Sequence, residues 1–153
     1  MANNCYVNIH AVAVHKKDLQ YLRDLMRGKG NDGEYLNAYN GKLHKPVKRE
    51  DGLYEGTITA ICSWTCTDLY NGNNEFGRGH DPKKTSMLEF CKKYNVGAEC
   101  WAQEYGLGFQ QHFVIDCNGN VLVDLESRDC EFDLDDQEEI VEGGFEDFGV
   151  HVL

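Results

Sequence analysis

The chain has 153 residues, 41% of them apolar, which is enough for one packed domain that buries roughly two-thirds of its unfolded surface. The formal net charge of −11 at pH 7 repels nucleic acid and anionic membranes, so neither is an expected direct partner. The N-terminus lacks a basic region followed by an apolar run, and no apolar stretch approaches the roughly twenty residues that cross a bilayer, so we expect a cytoplasmic protein.

The first half of the chain predicts one strand, one helix and a long loop. Residues 5–14 alternate between two faces, one of them wholly apolar, which is the pattern of a strand with a buried side. Leucines then recur at helical spacing over 16–27, and Gly28 is placed to end that helix. The next residues, 28–52, are rich in Gly, Asn and Lys and predict a long loop with one short helical turn at 34–39.

The second half predicts one helix among four further strands. Asp81 is placed to cap a helix that has Pro82 at its first position and ends near Tyr94. The pair Asn118–Gly119 lies between two alternating apolar runs and predicts a hairpin turn. The strands are expected at 53–66, 96–103, 109–115 and 121–125.

Together these elements predict an α+β fold in which two helices cover one face of an antiparallel sheet. The expected core is the apolar side of the first strand packed against both helices: Val7, Ile9, Ala11, Leu19, Leu22, Leu25, Leu88 and Phe90. We divide the chain into an α+β domain, residues 1–127, and an acidic C-terminal extension, residues 128–153, that packs on the same domain.

The net charge of the chain lies in one block near its C-terminus. Residues 124–148 hold twelve of the 26 acidic residues and a single base, Arg128, whereas the rest of the chain holds fourteen acids and fourteen bases. Burying unpaired carboxylates costs several kcal/mol each, so the block faces water or a basic partner. Many such runs are only solvated tails that keep a protein dispersed.

Two features favour a folded binding surface over a solvated tail. Acids at 131, 133 and 135 alternate with apolar residues, as in a strand with one acidic face, and Ile140 and Phe145 are too apolar for a solvating tail. Regularly spaced carboxylates can imitate a nucleic-acid backbone toward a groove lined by Lys and Arg. The predicted partner-binding residues are Glu131, Asp133, Asp135, Asp136, Glu138 and Glu139.

The cysteines and histidines predict no metal site and no cofactor. The seven cysteines are an odd number in a chain without a secretion signal, so we expect reduced thiols. Cys62 and Cys66 are placed on one strand face, but a zinc site needs four ligands, usually from two closely spaced pairs, and the sequence has no second pair. The six histidines have no ligand spacing.

Two short segments resemble a family of plasmid and phage proteins typified by YubB. The opening Met-Ala-Asn-Asn-Cys is similar to the family's Met-Ala-Asn-Trp-Cys, with Asn4 in place of Trp. Residues 101–121, with an acidic-aromatic-Gly-x-Gly-Phe turn at 104–109 and a hairpin that ends in Asn-Gly, are similar to the family's late strands. The resemblance implies a ferredoxin-like domain and an origin in a mobile element, and it brings no known activity with it.

Charge and resemblance lead to one functional expectation and one rival. We expect a phage or mobile-element accessory protein that inhibits a host defence protein that handles nucleic acid, as an anti-CRISPR does, with its acidic face as a nucleic-acid mimic for this basic partner. The rival is a small enzyme or anion-binding protein that uses the basic loop Arg78–Lys84 and a reactive cysteine. If the carboxylates were only a solubilising surface, the functional site would have to be sought on the aromatic and basic loops around Tyr35, Tyr39, Tyr70 and Arg78. No motif with a known mechanism supports an enzyme.

Overall fold

The computed structural model describes residues 3–63, 65–72, 81–104 and 108–127. These residues form an α+β fold with eight strands and three helices. The strands are β1 (Asn4–Ala13), β2 (Tyr35–Leu36), β3 (Tyr39–Lys48), β4 (Tyr54–Ser63), β5 (Lys84–Thr85), β6 (Val96–Glu104), β7 (Phe109–Ile115) and β8 (Val121–Ser127), and the helices are α1 (Lys16–Leu25), α2 (Thr67–Asn71) and α3 (Met87–Tyr94).

Six of the strands form one sheet in the order β3-β4-β1-β6-β7-β8. Every neighbouring pair in this sheet is antiparallel, as the sequence predicted. The central strand β1 pairs along its length with β4 on one side and with β6 on the other. The two short strands β2 and β5 pair in parallel as a separate ribbon beside the helices.

Both predicted helices pack on the same face of the sheet, which confirms that part of the expected arrangement. Ile9 and Ala11 on β1 are fully buried, and they share one apolar cluster with Leu19 of α1 and Phe90 of α3. Tyr70 from α2, a short helix that the sequence did not predict, belongs to the same cluster. Among the described residues no helix is long and apolar enough to span a membrane.

The loop predicted over 28–52 is wrong, because the ten residues of the edge strand β3 and the two of β2 lie within it. This strand is hard to recognise, since Gly41 and Pro46 both disfavour strands and its register shifts near each of them. Only Leu43 packs from the middle of β3 onto the main cluster, so the apolar alternation of a half-buried strand is missing. The predicted helical turn at 34–39 is also wrong, because β2 occupies this region.

The helix predicted to begin at Pro82 begins five residues later. Asp81 instead closes a turn, in which its carboxylate accepts a hydrogen bond from the Lys83 amide at 2.9 Å. Ser86 is the actual N-cap of α3, and its hydroxyl accepts a hydrogen bond from the amide of Glu89 at 3.3 Å. The Ser-x-x-Glu spacing of a capping box was therefore the better signal than the Asp-Pro pair.

The strand predicted over 53–66 ends earlier, at Ser63, and Cys66 lies at the start of α2 rather than on the sheet.

The predicted turn between β7 and β8 is present, but it is longer than a two-residue turn. Its residue Gly119 has a φ of 80°, and Asp116 accepts hydrogen bonds from the amides of Asn118 and Asn120, both at 2.9 Å.

Candidate functional site

The six predicted partner-binding carboxylates lie outside the described residues, as does the whole of the predicted extension 128–153. The structure does describe where that segment starts. It follows β8, which is outermost among the described strands on its side of the sheet and pairs with β7 as far as Ser127. The acidic segment is therefore connected directly to β8.

The first acid of the block, Asp124, is attached to the core through an aromatic pair. Its carboxylate accepts a hydrogen bond of 3.4 Å from the hydroxyl of Tyr70. The Tyr70 ring stacks on Phe113 of β7 at a centroid distance of 4.4 Å and an interplanar angle of 18°. Burial of the phenol, together with the nearby Asp124 charge, raises the pKa of Tyr70 to about 12. The phenol therefore stays protonated and remains a donor to Asp124 at neutral pH.

The two edges of the sheet carry opposite charge. The edge strand β3 has Lys42, Lys45 and Lys48 and no acid, whereas β8 has Asp124 and Glu126 and no base. Neighbouring strands lie ~4.8 Å apart, so the five spacings between these edges separate the two charges by ~24 Å. This distance exceeds two Debye lengths at physiological salt, so each edge acts on its surroundings almost independently.

The described cysteines are not placed for nucleophilic chemistry, which contradicts the rival's reactive cysteine for this part of the chain. All six of them are buried thiols. Cys5 lies opposite Cys62 in the β1–β4 pairing, and burial raises the pKa of both thiols. The pKa of Cys66 is raised mainly by a hydrogen bond with Cys100, and burial adds to this effect. Because the thiolate is the nucleophile, the raised pKa of Cys5, Cys62 and Cys66 disfavours nucleophilic chemistry at these thiols at neutral pH. Cys130 lies outside the described residues.

In the described part of the basic loop of the rival hypothesis, one of the two lysines is paired with a carboxylate. Lys84 lies 2.8 Å from a carboxylate oxygen of Asp68, and both side chains are mostly buried. Arg78 lies outside the described residues. Because α3 starts at Met87, its N-terminal amides are several residues away from the loop that was predicted to hold the anion. Lys84 is therefore already neutralised by a protein carboxylate.

The sheet face opposite the helices holds a buried polar pair. Nε2 of His112 lies 2.9 Å from a carboxylate oxygen of Glu99, and the imidazole is fully buried. Trp101 stacks on the imidazole with a centroid distance of 3.5 Å and an interplanar angle of 6°. A catalytic imidazole has to reach its substrate, so we interpret this shielded pair as structural. Among the described residues no group of three His, Cys, Asp or Glu side chains could hold a metal ion.

Two open clefts on the described surface differ in charge, and the smaller of the two is purely basic. The larger, about 580 Å³, mixes the cations Lys17 and Lys93 with the carboxylate of Asp18. The smaller, about 490 Å³, lies between the end of α1 and the start of β3 and has no acid in its lining. Its lining residues are Arg27, Lys29, Tyr39, Asn40, Gly41 and Lys42. We call this cleft the β3 groove.

Sequence reasoning named Tyr39 only as part of an aromatic loop and did not find the β3 groove. Its residues come from two segments that meet only because α1 packs against β3. Comparison of the chain with protein-family models, with curated proteins and with solved structures gives no match. The assignment of a function therefore depends on the chemistry of the surfaces described above.

Proposed function

We propose that this protein is an accessory protein of a phage or other mobile element, and that it binds and inhibits a host defence protein that handles nucleic acid, as anti-CRISPR proteins do. The binding surface is the run of carboxylates Glu131, Asp133, Asp135, Asp136, Glu138 and Glu139. The partner is a basic protein inside a bacterial cell. The carboxylates replace nucleic-acid phosphates in its positively charged channel.

The observation that supports this proposal is the separation of charge in the chain. Residues 128–153 hold ten acids and one base, whereas residues 1–127 hold sixteen acids and fourteen bases. The body is thus nearly neutral, and the excess negative charge follows the edge strand β8. A dense, one-sign segment attached to a folded body steers association with an oppositely charged groove.

The topology supports the ferredoxin-like domain that the family resemblance implies. We infer a ferredoxin-like core, because the longer elements β1, α1, β3, β4, α3 and β6 occur in the β-α-β-β-α-β order of that fold, with the short elements β2, α2 and β5 inserted between them. Their sheet order, β6-β1-β4-β3, agrees with this inference. The hairpin of β7 and β8 then extends the core on the side of β6 and leads into the acidic segment.

An interference assay tests the proposal in cells. A bacterium with an active RNA-guided nuclease destroys an incoming plasmid that carries the target, and an inhibitor restores transformation. We expect the native protein to restore transformation, and a variant with the six carboxylates changed to the corresponding amides to lose most of this effect. The amides keep the size and shape of the side chains, so the loss would report charge.

A matched pair of triple variants separates the acidic segment from general acidity. Asp133→Asn, Asp135→Asn and Asp136→Asn change the net charge as much as Asp32→Asn, Glu50→Gln and Glu89→Gln, which lie on exposed positions of the body. We expect only the first set to weaken inhibition. Equal loss in both sets, or full inhibition by the six-residue variant, would show that the segment is not the binding surface.

A further inference from the structure

We propose that the β3 groove is a nucleotide-binding site, in which Arg27, Lys29 and Lys42 hold the phosphate and Tyr39 stacks on the base. This activity is separate from the proposed binding of a protein by the acidic segment. The net charge alone led us to expect no direct binding of nucleic acid. The groove can still bind a phosphate, because the charge of the chain is not spread evenly along it.

The groove is a built feature of the fold. The amide of Gly41 donates to the carbonyl of Met26 at 3.3 Å, and Nε of Arg27 donates to the carbonyl of Gly41 at 2.6 Å. A Cβ on Gly41 would lie 2.7 Å from the Met26 Cβ, so only glycine allows β3 to approach α1 this closely. These contacts fix the guanidinium at the groove and use one of its five N–H donors.

The local electrostatics favour an anion in the groove. Gly28 has a φ of 69°, and the turn it forms brings Lys29 next to Arg27 at the end of α1. A helix C-terminus carries roughly half a negative charge, which the three positive side chains of the groove exceed. The acids on β8 lie five strand spacings away and are screened at physiological salt. The lining therefore presents net positive charge to a phosphate.

An aromatic ring beside these cations indicates a nucleotide and not a simple anion. Tyr39 is 42% exposed although its hydroxyl donates a hydrogen bond of 2.7 Å to Asn4, so the ring is both held and accessible. Every base has a π face, and stacking on an exposed aromatic side chain is a sequence-tolerant way to bind it. A volume of about 490 Å³ lies within the usual range for small-ligand sites.

A second exposed tyrosine distinguishes a free nucleotide from a nucleic-acid strand. Tyr39 and Tyr6 both pair with Ile61, from opposite sides of β4, so they lie on the same open face two strand spacings, ~10 Å, apart. Tyr6 is 48% exposed. A single strand that enters the groove with one nucleotide can place a neighbouring base on Tyr6. A free nucleotide in the groove does not reach it.

Fluorescence anisotropy on the full chain tests the site with two probes, a labelled single-stranded oligonucleotide of about eight nucleotides and a labelled adenosine triphosphate. We expect Lys29→Gln with Lys42→Gln to weaken binding roughly tenfold or more, because it removes two phosphate contacts. The control Lys16→Gln with Lys92→Gln removes the same charge from exposed positions on α1 and α3, and should bind like the native protein.

The aromatic part of the site is tested at the same position. Tyr39→Leu should weaken binding roughly tenfold, whereas Tyr39→Phe keeps the ring and should bind like the native protein. Further weakening of the oligonucleotide by Tyr6→Leu would identify a strand as the ligand, and no effect of Tyr6→Leu would identify a free nucleotide. No binding of either probe at low salt, or displacement by pyrophosphate with no effect of Tyr39→Leu, would overturn the assignment.

Discussion

Five buried thiols should make the fold sensitive to alkaline pH. Burial is the main cause of the raised pKa of Cys5, Cys62, Cys91 and Cys100. For Cys66 the main cause is a hydrogen bond with Cys100. An unfolded cysteine titrates at about pH 8.5. Above that pH the unfolded chain releases protons that the folded chain retains. Stability is therefore complete below about pH 8.5 and falls as pH rises above it.

The size of this effect follows from the number of thiols. Each thiol that ionises only in the unfolded state lowers the free energy of unfolding by ~1.4 kcal/mol per pH unit. At about pH 9.5, roughly nine-tenths of the unfolded thiols are ionised, so the four thiols whose pKa is raised most, Cys5, Cys62, Cys66 and Cys91, together give a slope of ~5 kcal/mol per pH unit. Because domains of this size have a total stability of ~5–15 kcal/mol, we expect the fold to be lost within roughly two pH units.

Urea denaturation in the presence of a reductant, repeated from neutral pH to about pH 10, measures this slope. Cys91→Ala removes one buried thiol and should reduce the slope by ~1 kcal/mol per pH unit. Ser63→Cys adds a thiol at an exposed position, where its pKa is similar in both states, and should leave the slope unchanged. A slope below ~1 kcal/mol per pH unit in the native sequence would refute the burial of these thiols.

Three further substitutions test local features of the fold by the same denaturation measurement. Ser86→Ala removes the N-cap bond to Glu89 and should cost ~1 kcal/mol; no loss of stability would place the start of α3 elsewhere. Lys84→Met leaves the mostly buried Asp68 without its cation and should cost ~1–3 kcal/mol, and adding Asp68→Leu should recover part of the loss; additive losses would show that the pair does not interact. Asp116→Ala removes three hydrogen bonds in the β7–β8 turn and should cost ~1–3 kcal/mol, whereas an unchanged stability would contradict that turn geometry.

The elements that the sequence predicted well are those with one buried and one exposed face. The central strand β1 has a buried residue at every second position, and α1 has leucines at helical spacing, so each pattern identifies its element. The edge strand β3 was missed because an edge strand is buried on one side at few positions, and because Gly41 and Pro46 are more typical of loops. The length of β3 depends on its pairing with β4, and this pairing cannot be read from the sequence of β3 itself.

The β3 groove could not be predicted for a different reason. Its cations Lys29 and Lys42 are thirteen positions apart, and each alone is an ordinary exposed lysine. They meet only because Gly41, which lies between them in the sequence, allows β3 to approach the end of α1 closely. The acidic segment, in contrast, is contiguous, so its charge is evident from the sequence.

Displacement of nucleic acid from a purified defence nuclease is the most direct test of the proposed function. The native protein should compete with a labelled nucleic acid for the nuclease, and its competition should weaken strongly between about 0.1 M and about 1 M salt, where the Debye length falls from ~10 Å to ~3 Å. The variant with six amides should compete at least about tenfold less well at low salt, while its thermal stability stays nearly unchanged because exposed charges contribute little to folding. Equal competition by the native protein and this variant at both salt concentrations would contradict the account.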